Sequence, residues 1–162
     1  MAEIEVRQIG ADGWRLMRDV RLAALLDAPE AFSSSYQREA GFGPADWLGR
    51  ITQGANFLAY ATGAGSGPAG IVGGFVPSLG IPELVSMWVA PDNRGAGVGR
   101  ALVEAVVRWA RAEGHHQLHL WVTEGNEPAR ILYERCGFTP TGERQPLASR
   151  PEFTEVAMTR FV

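Results

Sequence analysis

The chain has 162 residues, 46% of them hydrophobic and 20% charged, with a net charge of −3, which suits one globular domain with a real core. All 15 of its Lys and Arg residues are arginines, so a Walker-type phosphate loop, a Schiff-base lysine and a pyridoxal-phosphate attachment are excluded. The acidic balance argues against a nucleic-acid surface, and the single Cys, which has no internal disulfide partner, points to a reducing, cytoplasmic setting.

Glu3 and Glu5 make the first residues unlike a signal peptide, and no apolar run is long enough for a membrane span. Ile4 and Val6 alternate with Glu5 and Arg7 over residues 4–9, the pattern of an opening strand. Asp12 is placed to cap a helix carrying Trp14, Met17, Val20, Leu22 and Leu25, ending near Leu26. Residues 27–43 contain Pro29, the serines Ser33, Ser34 and Ser35, and several aromatics, and read as a partly helical connection. Pro44 then suits the first turn of a short helix with Trp47 and Ile51. Three strands are predicted at 56–62, 70–76 and 83–90, the first two joined as a hairpin by the flexible turn from Gly63 to Gly67. Val98, Leu102, Ala105, Val106 and Trp109 form the buried stripe of a long helix that Gly114 stops, with Arg100, Glu104 and Arg108 as i,i+4 pairs on its wet side. A strand at 117–123 follows. Asn126 caps a short helix over 127–136, with Pro128 in its first turn and Gly137 beyond its end. Strands at 138–145 and 152–161 finish a single α/β domain with a mixed sheet, in the order β-α-α-β-β-β-α-β-α-β-β.

Residues Arg94, Gly95, Ala96, Gly97, Val98 and Gly99 lie where a strand hands over to a helix. Glycines let backbone approach a ligand there, and free N–H groups at the helix start suit a pyrophosphate. A dinucleotide fingerprint beginning at Gly95 fails because its sixth position is Arg100. Arg94-x-x-Gly97-x-Gly99 instead resembles the acyl-CoA signature of the GNAT superfamily of N-acyltransferases. Asn126, Ala129, Leu132, Tyr133, Gly137 and Phe138 resemble the family's later motif, N-x-x-A-x-x-L-Y-x-x-x-G-F, in the right order and at a typical separation.

The resemblance extends from Ile4 to Val162. It implies a GNAT-like α/β single domain of residues 4–162, with about seven strands in a mixed central sheet, about four helices, and strands splayed apart at the cofactor site. It implies acetyl-CoA as acyl donor and no metal. The pantetheine arm would pair with the backbone of Met87, Trp88 and Val89. Arg94, Gly95, Ala96, Gly97, Val98, Gly99 and Arg100 would take the pyrophosphate, and Asn126 would touch the pantetheine side unless it is an N-cap alone. Tyr133 corresponds to the tyrosine beside the thioester sulfur, where a proton donor is needed for the leaving thiolate. An oxyanion would be held by a strand N–H near Val89. For the base, Glu83 matches a strand glutamate used by histone-type members, four residues before Met87 and so on the same face of a regular strand; Glu124 and Glu30 are the other candidates.

Ribosomal-protein alanine acetyltransferases carry Glu where this chain has Trp121, and a paired-tyrosine segment where it has Thr139, Pro140, Thr141, Gly142, Glu143 and Arg144. The expectation is therefore acetyl transfer to a primary amine of a small molecule, against the alternatives of a protein N-terminal or lysine acetyltransferase and a non-catalytic CoA-binding module. Neither nucleic acid nor a membrane is expected as partner, and dimers are common in the family. His115, His116 and His119 straddle a turn and a strand start, so they are not expected to converge on a metal. Ser33, Ser34 and Ser35 stand where the family builds its acceptor wall, Arg144 and Arg150 flank the last connection, and Cys136 reads as a packing residue.

Overall fold

The computed structural model describes residues 3–62, 67–78 and 80–162. The elements are β1 (Ile4–Gln8), α1 (Trp14–Asp27), α2 (Tyr36–Ala40), α3 (Pro44–Gln53), β2 (Gly54–Ala61), β3 (Gly70–Phe75), β4 (Glu83–Val89), α4 (Val98–Ala112), β5 (Gln117–Thr123), α5 (Glu127–Arg135), β6 (Thr139–Leu147) and β7 (Arg150–Phe161). The predicted order holds with one addition, α2. Ser35 starts it by accepting the Arg38 N–H at 3.2 Å, so the described residues form five α-helices rather than about four. Asp12 is not a cap: it sits in a 3-10 turn, Ala11–Gly13, and α1 begins after Gly13 with no side-chain cap. The β2–β3 pair is antiparallel as expected, while residues 63–66 of its predicted turn lie outside the described residues.

The seven strands form one sheet in the order β1-β2-β3-β4-β5-β7-β6, antiparallel except between β4 and β5. Two features of β4 matter for everything that follows. First, its parallel pairing with β5 is limited to Glu83 with His119 and Leu84 with Leu120. Second, Ile71 stands opposite Trp88 but Gly73 stands opposite Val85, so β4 carries one extra residue there. Ser86 absorbs it at φ 62°, the one positive φ outside glycine among the described residues.

Each face of the sheet buries a helical layer. The stripe of α4 (Val98, Leu102, Val106, Ala110) packs with Ala59, Val72, Leu120 and Met158 on one face, joined there by Tyr133 and Phe138. On the other, Met17 and Val20 of α1 and Trp47 of α3 pack on Leu58 and Ile71. Burying each Leu, Ile or Val contributes about 1.5–3 kcal/mol, which fixes the helices that carry the site. Glu104 does not pair along its own helix: its Oε1 accepts Arg160 Nη1 of β7 at 3.2 Å, because that face of α4 lies within reach of the sheet.

Candidate active site

β4 and β5 part beyond Leu84 and Leu120, and the gap leaves backbone unpaired along one edge of β4. Ala90 N donates to Ala69 O of the neighbouring chain segment at 2.8 Å. Backbone groups alternate along a strand, so those of Val89 face the gap, where Val89 O accepts Arg94 Nε at 3.0 Å. Met87, Trp88 and Val89 are all only partly buried, as an open edge requires.

The loop after β4 ends at an open helix start. Gly95 and Gly97 take φ of 78° and 90°, which only glycine adopts freely, and Gly97 caps α4 without any side-chain bond. The first helical bond from the cap runs from Ala101 N to Gly97 O, so the N–H groups of Val98, Gly99 and Arg100 have no acceptor within the helix. Arg100 is exposed on that first turn. By contrast α5 starts under a cap: Asn126 Oδ1 accepts the Ala129 N–H at 3.4 Å. A Cβ built on Gly99 would stand 2.8 Å from Leu132 Cδ2 and 3.7 Å from Val89 Cγ2, so β4, α4 and α5 converge at this glycine. The gap, the glycine turn and the uncapped N–H groups fit a pantetheine arm and a pyrophosphate, and no lysine is needed.

Tyr133 of α5 is buried, with its ring edge-on to Phe138 at 6.0 Å. Burial, with a smaller contribution from Cys136, pushes its phenol well above the usual tyrosine value, so the hydroxyl stays protonated at neutral pH. Cys136 is buried beside it in the same core, as a packing residue should be.

The bulge at Ser86 overturns the expected parity of β4. Leu84, Met87 and Val89 pack into the α4-side core while Trp88 packs with Ile71 and Phe32 on the other face. Glu83 therefore does not share a face with Met87; it stands beside His119 at the closed end of the gap. Burial raises the Glu83 carboxyl above its ordinary value, His119 opposes the rise and Glu155 adds to it. Glu155 is itself buried and accepts Gln145 Nε2 at 2.6 Å. Of the other two base candidates only Glu124 has its carboxylate paired. Glu124 is exposed and ion-paired with Arg144 at 2.6 Å, and Glu30 is exposed with its backbone carbonyl taken by Thr123 Oγ1 at 2.6 Å.

That last bond is one of two that tie the connection after α1 across the gap; the other runs from Ser149 Oγ to Phe32 O at 2.6 Å. Of the three serines, Ser34 is buried against Arg38 and Ser35 is the α2 cap, so the wall is held by them rather than offered to a ligand through them. Sequence reasoning missed Asp27. Its Oδ2 accepts Trp88 Nε1 at 3.0 Å and Arg94 Nη2 at 2.7 Å. The Trp88 N–H, together with Arg94, holds the Asp27 carboxyl below the ordinary range against a small opposing effect of burial. Arg94 is thus anchored at the mouth of the gap instead of pointing freely from the helix start. His119 lies 3.7 Å from Glu143 and edge-on to Trp121, while His115 packs near Trp109. Among the described residues no three His, Cys, Asp or Glu side chains are grouped to hold a metal ion.

The description "Acetyltransferase (GNAT) family" fits residues 18–138 of the chain by sequence profile. The chain belongs to the GNAT acetyltransferase family. Its domain is accordingly of the acetyl-CoA-dependent N-acetyltransferase type. A mycothiol acetyltransferase of Beutenbergia cavernae is 40% identical over 65 residues, which is 40% of this chain and 22% of that protein. A 5-NmdU N-acetyltransferase of Pseudomonas phage PaMx11 is 42% identical over 64 residues, 38% of this chain and 44% of that one. Both matches thus span less than half the length of the curated relative. Among solved structures, the yncA protein of Salmonella typhimurium, determined with its cofactor acetyl-CoA, superposes with a TM-score of 0.77 at 16% identity, covering 98% of this chain and 94% of that one. That likeness establishes the fold alone. No helix among the described residues is long and apolar enough to cross a membrane.

Proposed function

We propose that residues 4–162 form one N-acetyltransferase domain that transfers an acetyl group from acetyl-CoA to the primary amine of a small molecule. The observation that carries this reading is the gap between β4 and β5, with the uncapped start of α4 at its open end and a half-buried glutamate at its closed end. Two relatives whose names carry a small molecule, mycothiol in one and 5-NmdU in the other, support the acceptor class. Trp121, standing where protein-modifying relatives carry Glu, supports it as well.

Acetyl-CoA supplies an activated thioester carbonyl. The roles of the chain follow from where its groups stand. Met87 and Val89 offer backbone to the pantetheine arm, the expected third contact, Trp88, having its backbone turned to Ile71 of β3, and the N–H groups of Val98, Gly99 and Arg100 with the glycine turn take the pyrophosphate. The Val89 N–H, on the gap edge, polarises the thioester oxygen. Glu83, with its raised affinity for protons, takes one from the incoming ammonium so that a lone pair is free to attack. Tyr133, protonated at neutral pH, donates to the departing thiolate. Asn126 keeps the start of α5 in place as its cap, a supporting position for the pantetheine side. The free, buried Cys136 suits a reducing cytoplasm.

The test is a thiol-release screen with acetyl-CoA over simple amines, amino acids, polyamines, aminoglycosides and peptides. Turnover on a small amine is the expected result. Turnover confined to peptides overturns the acceptor class, and tight acetyl-CoA binding with no turnover on any amine overturns the enzymatic reading.

A further inference from the structure

Behind the β4 bulge lies an ion cluster that the chemistry above does not use. Glu39 of α2 is fully buried, and Arg21 of α1 grips it with Nε on Oε1 and Nη2 on Oε2, both at 3.0 Å. Arg50 of α3 adds Nη1 to Oε1 at 2.8 Å. The remaining donor of the buried Arg21, Nη1, reaches 3.3 Å to Ser86 Oγ. Ser86 is the bulge residue with φ of 62°. Beneath it, a cavity of about 10 Å³ is lined by Arg21, Arg50, Asn56 and Ser86 together with the apolar Met17, Trp47 and Ile71.

Buried ion clusters rarely hold helices together better than apolar groups of equal volume. An apolar cluster here would dock α1, α2 and α3 equally well. What it lacks is a donor for Ser86. A left-handed serine in mid-strand is strained and persists only where surrounding groups impose it. Glycine at this position would need no such imposition. The combination of a serine at φ 62° with a fixed guanidinium behind it means the bulge is held through a side chain.

We infer that Arg21 and Glu39 are positioning residues for the acyl donor: the ion cluster holds Ser86 in its left-handed turn, and the turn sets the register that aims the Val89 N–H and the Met87 backbone into the gap. This rests on reading the gap as the acetyl-CoA site. Arg21 touches neither donor nor acceptor. It acts through Ser86.

Arg21→Lys keeps a cation beside Glu39 but lacks the fork that reaches both partners. It is expected to raise the acetyl-CoA dissociation constant and KM about tenfold while kcat changes less than about threefold, because the strained turn relaxes and the gap edge loses its register. Amide exchange at Ala90, whose N–H is held by Ala69 O beyond the bulge, measured without any ligand, should become faster. Adding Ser86→Gly should restore binding and slow exchange again, because glycine adopts φ 62° unaided. Ser86→Ala alone should reproduce the weakened binding without disturbing the ions, so it carries the test if the lysine variant fails to fold. Unchanged binding and exchange in Ser86→Ala, or a defect in Arg21→Lys that Ser86→Gly does not repair, overturns the positioning role. Failure of the unaltered protein to bind acetyl-CoA overturns the donor-site reading instead, and the exchange rates then still decide whether the cluster sets the bulge.

Discussion

On one face of the sheet α4 and α5 rest on an apolar core that runs from Ala55 to Met158, whereas on the other α1, α2 and α3 close around the Glu39 carboxylate and two arginines. The two faces also divide the chemistry. Tyr133, the proposed proton donor, is embedded in the apolar face, while Glu83, the proposed base, stands beside His119 near the polar one. Burial raises both groups' affinity for protons, yet with opposite use: it keeps the phenol an acid and makes the carboxylate a stronger base. On the proposed mechanism, two environments on either side of one strand thus separate acid from base.

Three measurements sharpen or break this division. Glu83→Gln should lower kcat by about 100-fold, within the range of lost general-base catalysis. Because the base works ionised and its carboxyl is raised, the native rate should fall as pH drops through a value above the ordinary carboxylate range, and this limb should vanish in the variant. A native profile flat through the acid side would move the base elsewhere. Tyr133→Phe should cost about tenfold in kcat with KM for acetyl-CoA little changed, since the ring packing on Phe138 survives. An unchanged kcat removes the phenol from the reaction and leaves the apolar face purely structural.

The last contrast concerns stability. Burial alone would raise the Glu39 carboxyl, but hydrogen bonds from Arg21 and Arg50 outweigh it and hold the pKa at about 2, against 4.5 when unfolded. A depressed carboxyl stabilises the fold fully above the unfolded value and loses that contribution as pH falls through the folded one, here between about pH 4.5 and 2. The difference amounts to about 3 kcal/mol. Urea unfolding of the native protein should therefore weaken steeply across that window, and Glu39→Gln should flatten the slope. On the apolar face Leu102→Ala should cost about 2–5 kcal/mol with little dependence on pH. Equal acid slopes for native protein and Glu39→Gln would erase the distinction between the faces.

The apolar face was legible in the sequence because its signals are local. The stripe from Val98 to Trp109, the glycines at 95, 97 and 99, and the Asn126 cap each fit within one element. The seven strands and their places along the chain followed from alternation and turns, with ends displaced by a residue or two, whereas their order in the sheet did not. The polar face rests on pairs distant in sequence, such as Arg21 with Glu39 and Asp27 with Arg94, and no periodicity marks them. Five-residue α2 was too short to show a stripe. Asp12 fitted the cap pattern but the chain took a 3-10 turn first. The bulge was hidden for a sharper reason: a serine rather than a glycine occupies it, so nothing at position 86 announces the extra residue that moves Glu83 off the face of Met87.

The connection after α1 is fastened by hydroxyls of two distant elements, Thr123 at the end of β5 and Ser149 between β6 and β7, each donating to one of its carbonyls. A segment stitched at both Glu30 and Phe32 is a template rather than a flap. Its specificity is consequently not portable: transplanting residues 28–35 from another protein would bring carbonyls without the hydroxyls cut to receive them. Segment and anchors form one heritable unit, and reshaping this wall calls for exchanging them together.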